Sequence, residues 1–127
     1  MRKGVERLIL QARRDLENAR KNIGIQAYEV AAFLAHQAVE KYLKGTWIHK
    51  KRVRPPATHA LHELGDGLRV PARLRRHLLY LTPDYTVARY PDAANGVPYE
   101  LYDEETARAK VNAAQEVARW VESLIRS

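Results

Sequence analysis

Apolar residues recur at spacings of three and four along the first two dozen positions: Val5, Leu8, Ala12, Leu16, Ala19 and Ile23. That is the stripe of an amphipathic helix, with Arg13, Arg14, Asp15, Glu17, Arg20 and Lys21 between them as a solvated face. The helix is predicted to stop near Asn22, with Gly24 taking the left-handed conformation that ends helices. A second helix is predicted from about Ala27 to about His49. Its apolar positions, among them Tyr28, Ala31, Phe33, Leu34, Ala35, Ala38, Tyr42, Leu43, Trp47 and Ile48, cover more than one stripe. A helix apolar over that much of its circumference is buried on two sides. It is expected at the centre of the molecule, touching both its own bundle and a partner subunit.

The run Lys50-Lys51-Arg52-Val53-Arg54-Pro55-Pro56 ends this helix, because consecutive prolines force an extended connection. Thr58 is the predicted cap of a short helix through Leu64, closed by Gly65 and Gly67. Pro71 suits the first position of a helix over Ala72–Leu81, which Thr82-Pro83 stops. Residues 83–102 hold Pro91, Asn95-Gly96 and Pro98 and read as a long irregular stretch, of the kind that is functional or mobile. Asp103 is the predicted cap of a last helix, with Glu104 and Glu105 in its first turn, where acids suit the helix dipole. Val111, Ala114, Val117, Ala118, Val121, Leu124 and Ile125 supply its stripe. No segment alternates as a strand would, and no internal repeat is visible. The expected fold is all-α, an antiparallel up-and-down bundle of about five helices: a four-helix-bundle core plus a short helix, in one domain over residues 1–127.

Composition narrows the class. With 46% hydrophobic and 29% charged residues the chain is globular rather than disordered. No apolar run is long enough to span a bilayer, and the charged start leads into a helical pattern rather than a signal core, so no membrane association and a cytoplasmic location are expected. The absence of cysteine excludes disulfides and thiolate chemistry. A formal net charge of +7 has two readings: attraction of a polyanion such as nucleic acid, or solubility alone.

Candidate chemistry centres on Ala32-Phe33-Leu34-Ala35-His36-Gln37-Ala38-Val39-Glu40-Lys41-Tyr42-Leu43-Lys44-Gly45. Gln37, Lys41 and Lys44 fall on one side at helical spacing, and Glu40 with Lys44 makes an i,i+4 pair. They line either a ligand groove or subunit interface, or a buried polar network. This stretch resembles the second helix of the HEPN family. The resemblance continues through Thr58-His59-Ala60-Leu61 and through Ala88-Arg89-Tyr90-Pro91-Asp92, in order, over roughly residues 5–125. It implies a four-helix bundle with an added short helix, a homodimer, and a minimal nucleotidyltransferase as partner. It further implies binding of a nucleotide or RNA, with ribonuclease toxins among the relatives.

The family's catalytic members are expected to carry an arginine and a histidine separated by four to six intervening residues. Arg89 lies where that arginine belongs, but Ala94-Asn95-Gly96 offers no histidine. Arg54 and His59 satisfy the spacing, in the connection before the third helix. Arg89 and His59 are therefore the catalytic candidates, with packing or capping the competing role for His59. For nucleotide or RNA binding the candidates are Arg89, Tyr90, Gln37, Lys41, Lys44, Lys50, Lys51, Arg52 and Arg54. The basic run joins Arg69, Arg73, Arg75 and Arg76 either along one phosphate backbone or as solvated loop and helix end. Tyr85, Tyr90, Tyr99 and Tyr102 interleave with Arg89 and either stack a base or pin the loop to the bundle. Arg89 itself either pairs with Asp92 or Glu40 or is held ready for a phosphate. No cofactor or metal is expected: there is no Gly-rich phosphate loop, and His59 with His62 lacks a third ligand. The leading expectation is a HEPN subunit that binds a nucleotide or RNA beside a nucleotidyltransferase. A metal-independent endoribonuclease toxin and a purely structural adaptor are the alternatives.

Overall fold

The computed structural model describes residues 1–126, and the described residues form eight helical segments and no strand. They are α1 (Lys3–Gly24), α2 (Tyr28–Lys51), α3 (Leu61–Gly67), α4 (Ala72–Leu81), α5 (Asp84–Val87), α6 (Pro91–Ala94), α7 (Pro98–Leu101) and α8 (Glu104–Arg126). The helical bundle expected from the periodicity is present. At about 1.5 Å per residue the three long helices each run about 35 Å.

α1 and α2 pack as a hairpin across a three-residue turn, and α8 lies against both. Val5, Ile9, Ala12, Leu16, Ala19 and Ile23 form the inner stripe of α1, so Ile9 takes the place expected of Leu8. Ala35, Ala38, Val39 and Leu43 of α2 meet Ala107, Val111, Ala114, Val117 and Val121 of α8, all buried. α3 and α4 close the remaining side with Leu61, Leu64, Leu74, Leu78 and Leu81, fully enclosed leucines worth about 1.5–3 kcal/mol each in burial. A polar clip ties all three long helices: Arg13 donates to both oxygens of Glu122 at 2.7 and 2.8 Å, and the Tyr42 hydroxyl donates to Glu122 at 3.1 Å. Burial and the neighbouring carboxylate push the Tyr42 phenol up to about 12.

Several boundaries differ from expectation. α1 continues through Gly24, and the left-handed residue of the turn is Gln26 at φ 63°, no glycine among the described residues having a positive φ. Asp15 is buried rather than solvated, because Lys41 reaches it from α2. α2 keeps Lys50 and Lys51 in its last turn, where cations suit the carbonyl end of the dipole, and Arg52 ends it at φ 61°. Thr58 does not cap α3. Its hydroxyl accepts from the Ala60 amide at 3.0 Å, while the Leu61 amide donates to Thr82 Oγ1 at 3.1 Å, so the end of α4 caps the start of α3. Gly65 and Gly67 are part of α3 rather than beyond its end, and Leu78, Val70 and Trp47 press where a Cβ would stand. The chain reverses at Arg69, φ 57°. Pro71 is the N-cap of α4, one place before its expected position. Asp103 caps α8 as expected, accepting from the Thr106 amide at 2.8 Å.

The largest difference lies between residues 83 and 102. The stretch read as irregular folds as three one-turn helices, with Pro91 and Pro98 opening α6 and α7. α5 and α7 lie on α2 and build a second small core of Ala32, Ala88 and Tyr102 with Tyr28, Phe33 and Val87. The second apolar side of α2 is therefore covered by its own chain. A partner subunit is not needed to bury it.

Candidate functional site

Phe33, His36, Gln37, Glu40 and Lys44 recur at helical spacing along α2 and face the segment before α3 and the one-turn α5. His36 is fully buried. Its Nε2 lies 2.9 Å from the His59 carbonyl oxygen and its Nδ1 3.1 Å from the Gln37 amide oxygen. Burial holds its pKa below the ordinary value, against the raising effect of the His59 carbonyl and of Glu40. A neutral imidazole has one N–H, and the backbone carbonyl claims it.

Glu40 is buried, with both oxygens engaged: Oε1 stands 2.7 Å from His59 Nδ1, and Oε2 accepts from Lys44 Nζ at 3.2 Å. The carboxylate fixes the His59 ring and leaves its Nε2 pointing away from this bond. That ring is half exposed and stacks on Tyr85 with centroids 3.6 Å apart and planes 11° from parallel. The Arg89 guanidinium lies 4.4 Å from the same Tyr85 ring, 4.6 Å from Phe33 and 4.9 Å from Tyr90. Its Nε donates to the Tyr85 carbonyl at 2.8 Å, a local bond that orients the group and leaves both terminal nitrogens free to donate. Arg89 pairs with neither Asp92 nor Glu40, and forms no ion pair among the described residues. The loop-locking ion pair considered for it is absent; aromatic rings hold it instead.

Tyr85 owes its position to the residue before it. Asp84 is buried, ion-paired with Lys110 of α8 at 2.8 Å, and accepts from the Tyr102 hydroxyl at 2.6 Å. Lys110 also donates to the Tyr80 carbonyl at 2.7 Å and lies over the Tyr80 ring. A buried ion pair with further hydrogen bonds to both partners fixes α5 against α8.

The remaining sequence candidates lie elsewhere. Lys41 turns to α1, where Asp15 takes it at 2.6 Å and also accepts from Gln11 at 2.8 Å, so it does not join Gln37 and Lys44. Lys50, Lys51, Arg52 and Arg54 are exposed at the far end of α2, about 22 Å along the axis from His36. Lys51 lies over Trp47, and Lys50 and Lys51 border a shallow depression with Arg69. Arg75 is held by both oxygens of Asp66 at 2.7 and 3.0 Å. Arg54 and His59, matched in spacing, make no hydrogen bond to each other among the described residues. His59 instead shares Tyr85 with Arg89, thirty positions along the chain. Of the interleaved tyrosines, Tyr85 and Tyr90 surround Arg89, Tyr102 is buried on Asp84, and Tyr99 is exposed. His36 and the Asp84–Lys110 pair escaped the sequence reading. His36 sits at i−4 from Glu40, which marks the face, but nothing in the local pattern joins Asp84 to Lys110.

An arginine with free terminal nitrogens, beside an exposed ring and a carboxylate-oriented imidazole, can hold an anion and exchange a proton with it. No cluster of three or more metal-ligating side chains occurs among the described residues. No helix among them is long and apolar enough to cross a membrane.

Comparison with known proteins agrees with this architecture. The HEPN domain family matches residues 5–124. The structure is similar to that of TT1696 from Thermus thermophilus, at 29% identity and a TM-score of 0.86, covering 94% of this chain and 96% of that one. It is also similar to ST0689, an archaeal HEPN homologue, at 36% identity and a TM-score of 0.84, covering 98% and 99% of the two chains. No functionally curated protein matches. The family match spans nearly the whole chain and the bundle superimposes on a HEPN homologue along its length: the chain belongs to the HEPN domain family.

Proposed function

We propose that the chain binds the phosphate of a nucleotide or RNA at Arg89, with Tyr85 and Tyr90 as stacking surfaces, as a homodimeric partner of a minimal nucleotidyltransferase. The observation that carries this reading is the state of Arg89: a guanidinium oriented by one backbone bond, surrounded by three rings and without a carboxylate. Such a group loses little freedom on taking a phosphate. Titration of wild type and Arg89→Ala with a mononucleotide tests it. A charge-assisted hydrogen bond contributes about 1.5–3 kcal/mol, so the variant is expected to melt near the wild-type temperature and bind roughly ten- to a hundredfold more weakly. Equal affinity in the two proteins, or a large loss of stability with normal affinity, refutes the binding role. Co-purification with the product of a neighbouring nucleotidyltransferase gene tests the partnership.

One observation favours a second reading, a metal-independent endoribonuclease. His59 is set by Glu40 at 2.7 Å and stacks on the ring that Arg89 also covers. Such chemistry needs a phosphate holder and a proton carrier, and under this reading Arg89 and His59 supply them. Cleavage of RNA in the presence of a chelator, abolished by His59→Ala, is the expected result under this reading. Intact RNA after prolonged incubation refutes it.

A further inference from the structure

The outward face of α8 carries Arg119 between two depressions. The one toward α1, about 390 Å³, is walled by Arg20, Gln115, Arg119 and Arg126. The one toward α4, about 530 Å³, is walled by Arg73, Arg119 and Trp120. Arg73 borders a third, about 390 Å³, with Arg76 and Leu79. The three lie in a row from α1 across α8 to α4, a groove interrupted by Arg119 and Arg73, each of which borders two of them. It crosses two interhelical spacings, roughly 16–20 Å, which is longer than a single nucleotide.

Cations outnumber carboxylates along this groove: Arg20, Arg73, Arg76, Arg119 and Arg126 line it with Glu116 and Glu122. Arg20, Arg73, Arg76, Arg119 and Arg126 form no ion pair among the described residues. Of the two carboxylates on its walls, Glu122 is paired with Arg13 and also feels Arg126, and Glu116 hydrogen-bonds His77. Arg20 is also pre-set: with the Gln115 amide oxygen turned toward it, Nε and Nη2 both donate at 2.8 Å. Trp120 is partly exposed and lines the same depression as Arg73 and Arg119. The groove lies on a different face from Arg89. Glu116, Arg119, Ser123 and Arg126 form the exposed stripe of α8, opposite the buried Ala114, Val117, Ala118 and Val121 that face the core.

From these features we infer that the groove binds single-stranded nucleic acid, Arg20, Arg119, Arg73 and Arg76 taking successive phosphates while Trp120 stacks a base. Spaced guanidinia with an intervening aromatic platform match a flexible phosphodiester backbone. A protein partner would need a central cluster of large apolar anchors, and the large apolar side chains lining this groove that are not buried are Trp120 and Leu79. Nothing in the inference requires Arg89 to hold a nucleotide.

Anisotropy titrations with labelled uridylate and thymidylate oligomers of about 12 nucleotides, a length single-strand sites accommodate, provide the test. Arg73→Gln/Arg119→Gln is expected to bind about tenfold or more weakly. The slope of log affinity against log salt should shrink by about 1.4, two phosphates at about 0.7 each. Because both positions are exposed, the melting temperature should hold; Arg73→Lys/Arg119→Lys keeps the charge and should retain most of the affinity should the glutamine variant fold poorly. Mononucleotide affinity should not change, whereas Arg89→Ala should change it, so the two sites fail or stand separately. Loss on both oligomers assigns recognition to the backbone, and loss on the ribo-oligomer alone adds the 2′-hydroxyl; either supports the inference. Unchanged oligomer affinity and slope overturn it. So does a glutamine variant that alters only the molecular mass in solution, which would make the groove a protein interface.

Discussion

His36 is the buried residue whose ionisation matters most for this site, since it stands between the Gln37 amide and the backbone of His59. Burial depresses its pKa, so the folded chain holds it neutral where the unfolded chain takes a proton near the ordinary 6.5. The unfolded state then binds more protons, and stability rises with pH: the contribution is whole above about 6.5 and is lost as pH falls toward the folded value. Wild type should lose melting temperature between pH 7.5 and 5.5 more steeply than His36→Gln, so that the gap between them narrows on acidification. A gap that stays constant over this range refutes the assignment. Much of the neighbourhood was legible in the sequence. Arg89, Tyr90, Gln37 and His59 sit in stretches whose resemblance to HEPN motifs marks them. What those stretches do not contain is the ring that joins them. Tyr85 lies outside all three, and its stacking on His59 and on Arg89 follows from where α5 docks.

At the scale of elements, long helices were readable because several turns repeat one stripe, whereas a one-turn helix has no period to repeat. Pro91 and Pro98 read as breakers although each opens a helix, since proline fits the first turn and excludes only what precedes it. What holds these short elements is tertiary, above all the Asp84–Lys110 pair between α5 and α8. Lys110→Met should therefore cost about 3–5 kcal/mol, because it strands a buried carboxylate, and Asp84→Asn on the same chain should return part of that loss. Chemical denaturation of the two single variants and the double variant measures the coupling; additive losses would show that the pair does not act as a unit. Glycines make a second, opposite pair of cases. A Cβ at Gly67 would run into the Trp47 ring, so Gly67→Ala should destabilise the contact of α3 with α2 by about 1–3 kcal/mol. Gly24 is helical with nothing within 4 Å of its Cβ position, and Gly24→Ala should stabilise α1 by about 0.5–1 kcal/mol. Equal effects at the two sites would contradict the packing described.

For the whole molecule, the sequence placed α2 at the centre and inferred a partner subunit from its breadth of apolar surface, and only the first half of that reasoning survives. α5 and α7 supply the cover, so the argument for a dimer has to move to surfaces that remain apolar outside. The densest of these is the short-helix segment itself, where Val97, Tyr99 and Leu101 are exposed within five positions. They are turned outward on elements that α2 already anchors, and exposed apolar side chains close together mark association surfaces. A two-fold contact would bring two such patches together, with the same residues on both sides. The proposed homodimer is therefore expected to use this segment, and light scattering should give twice the chain mass of 14.6 kDa. Tyr99→Lys/Leu101→Lys puts like charges across such an axis and should yield the monomer. Its melting temperature at low protein concentration should stay close to that of the wild type, because neither residue contributes to the buried core. A variant that remains dimeric would remove this patch from the interface, and a wild type at the mass of one chain would remove the dimer altogether.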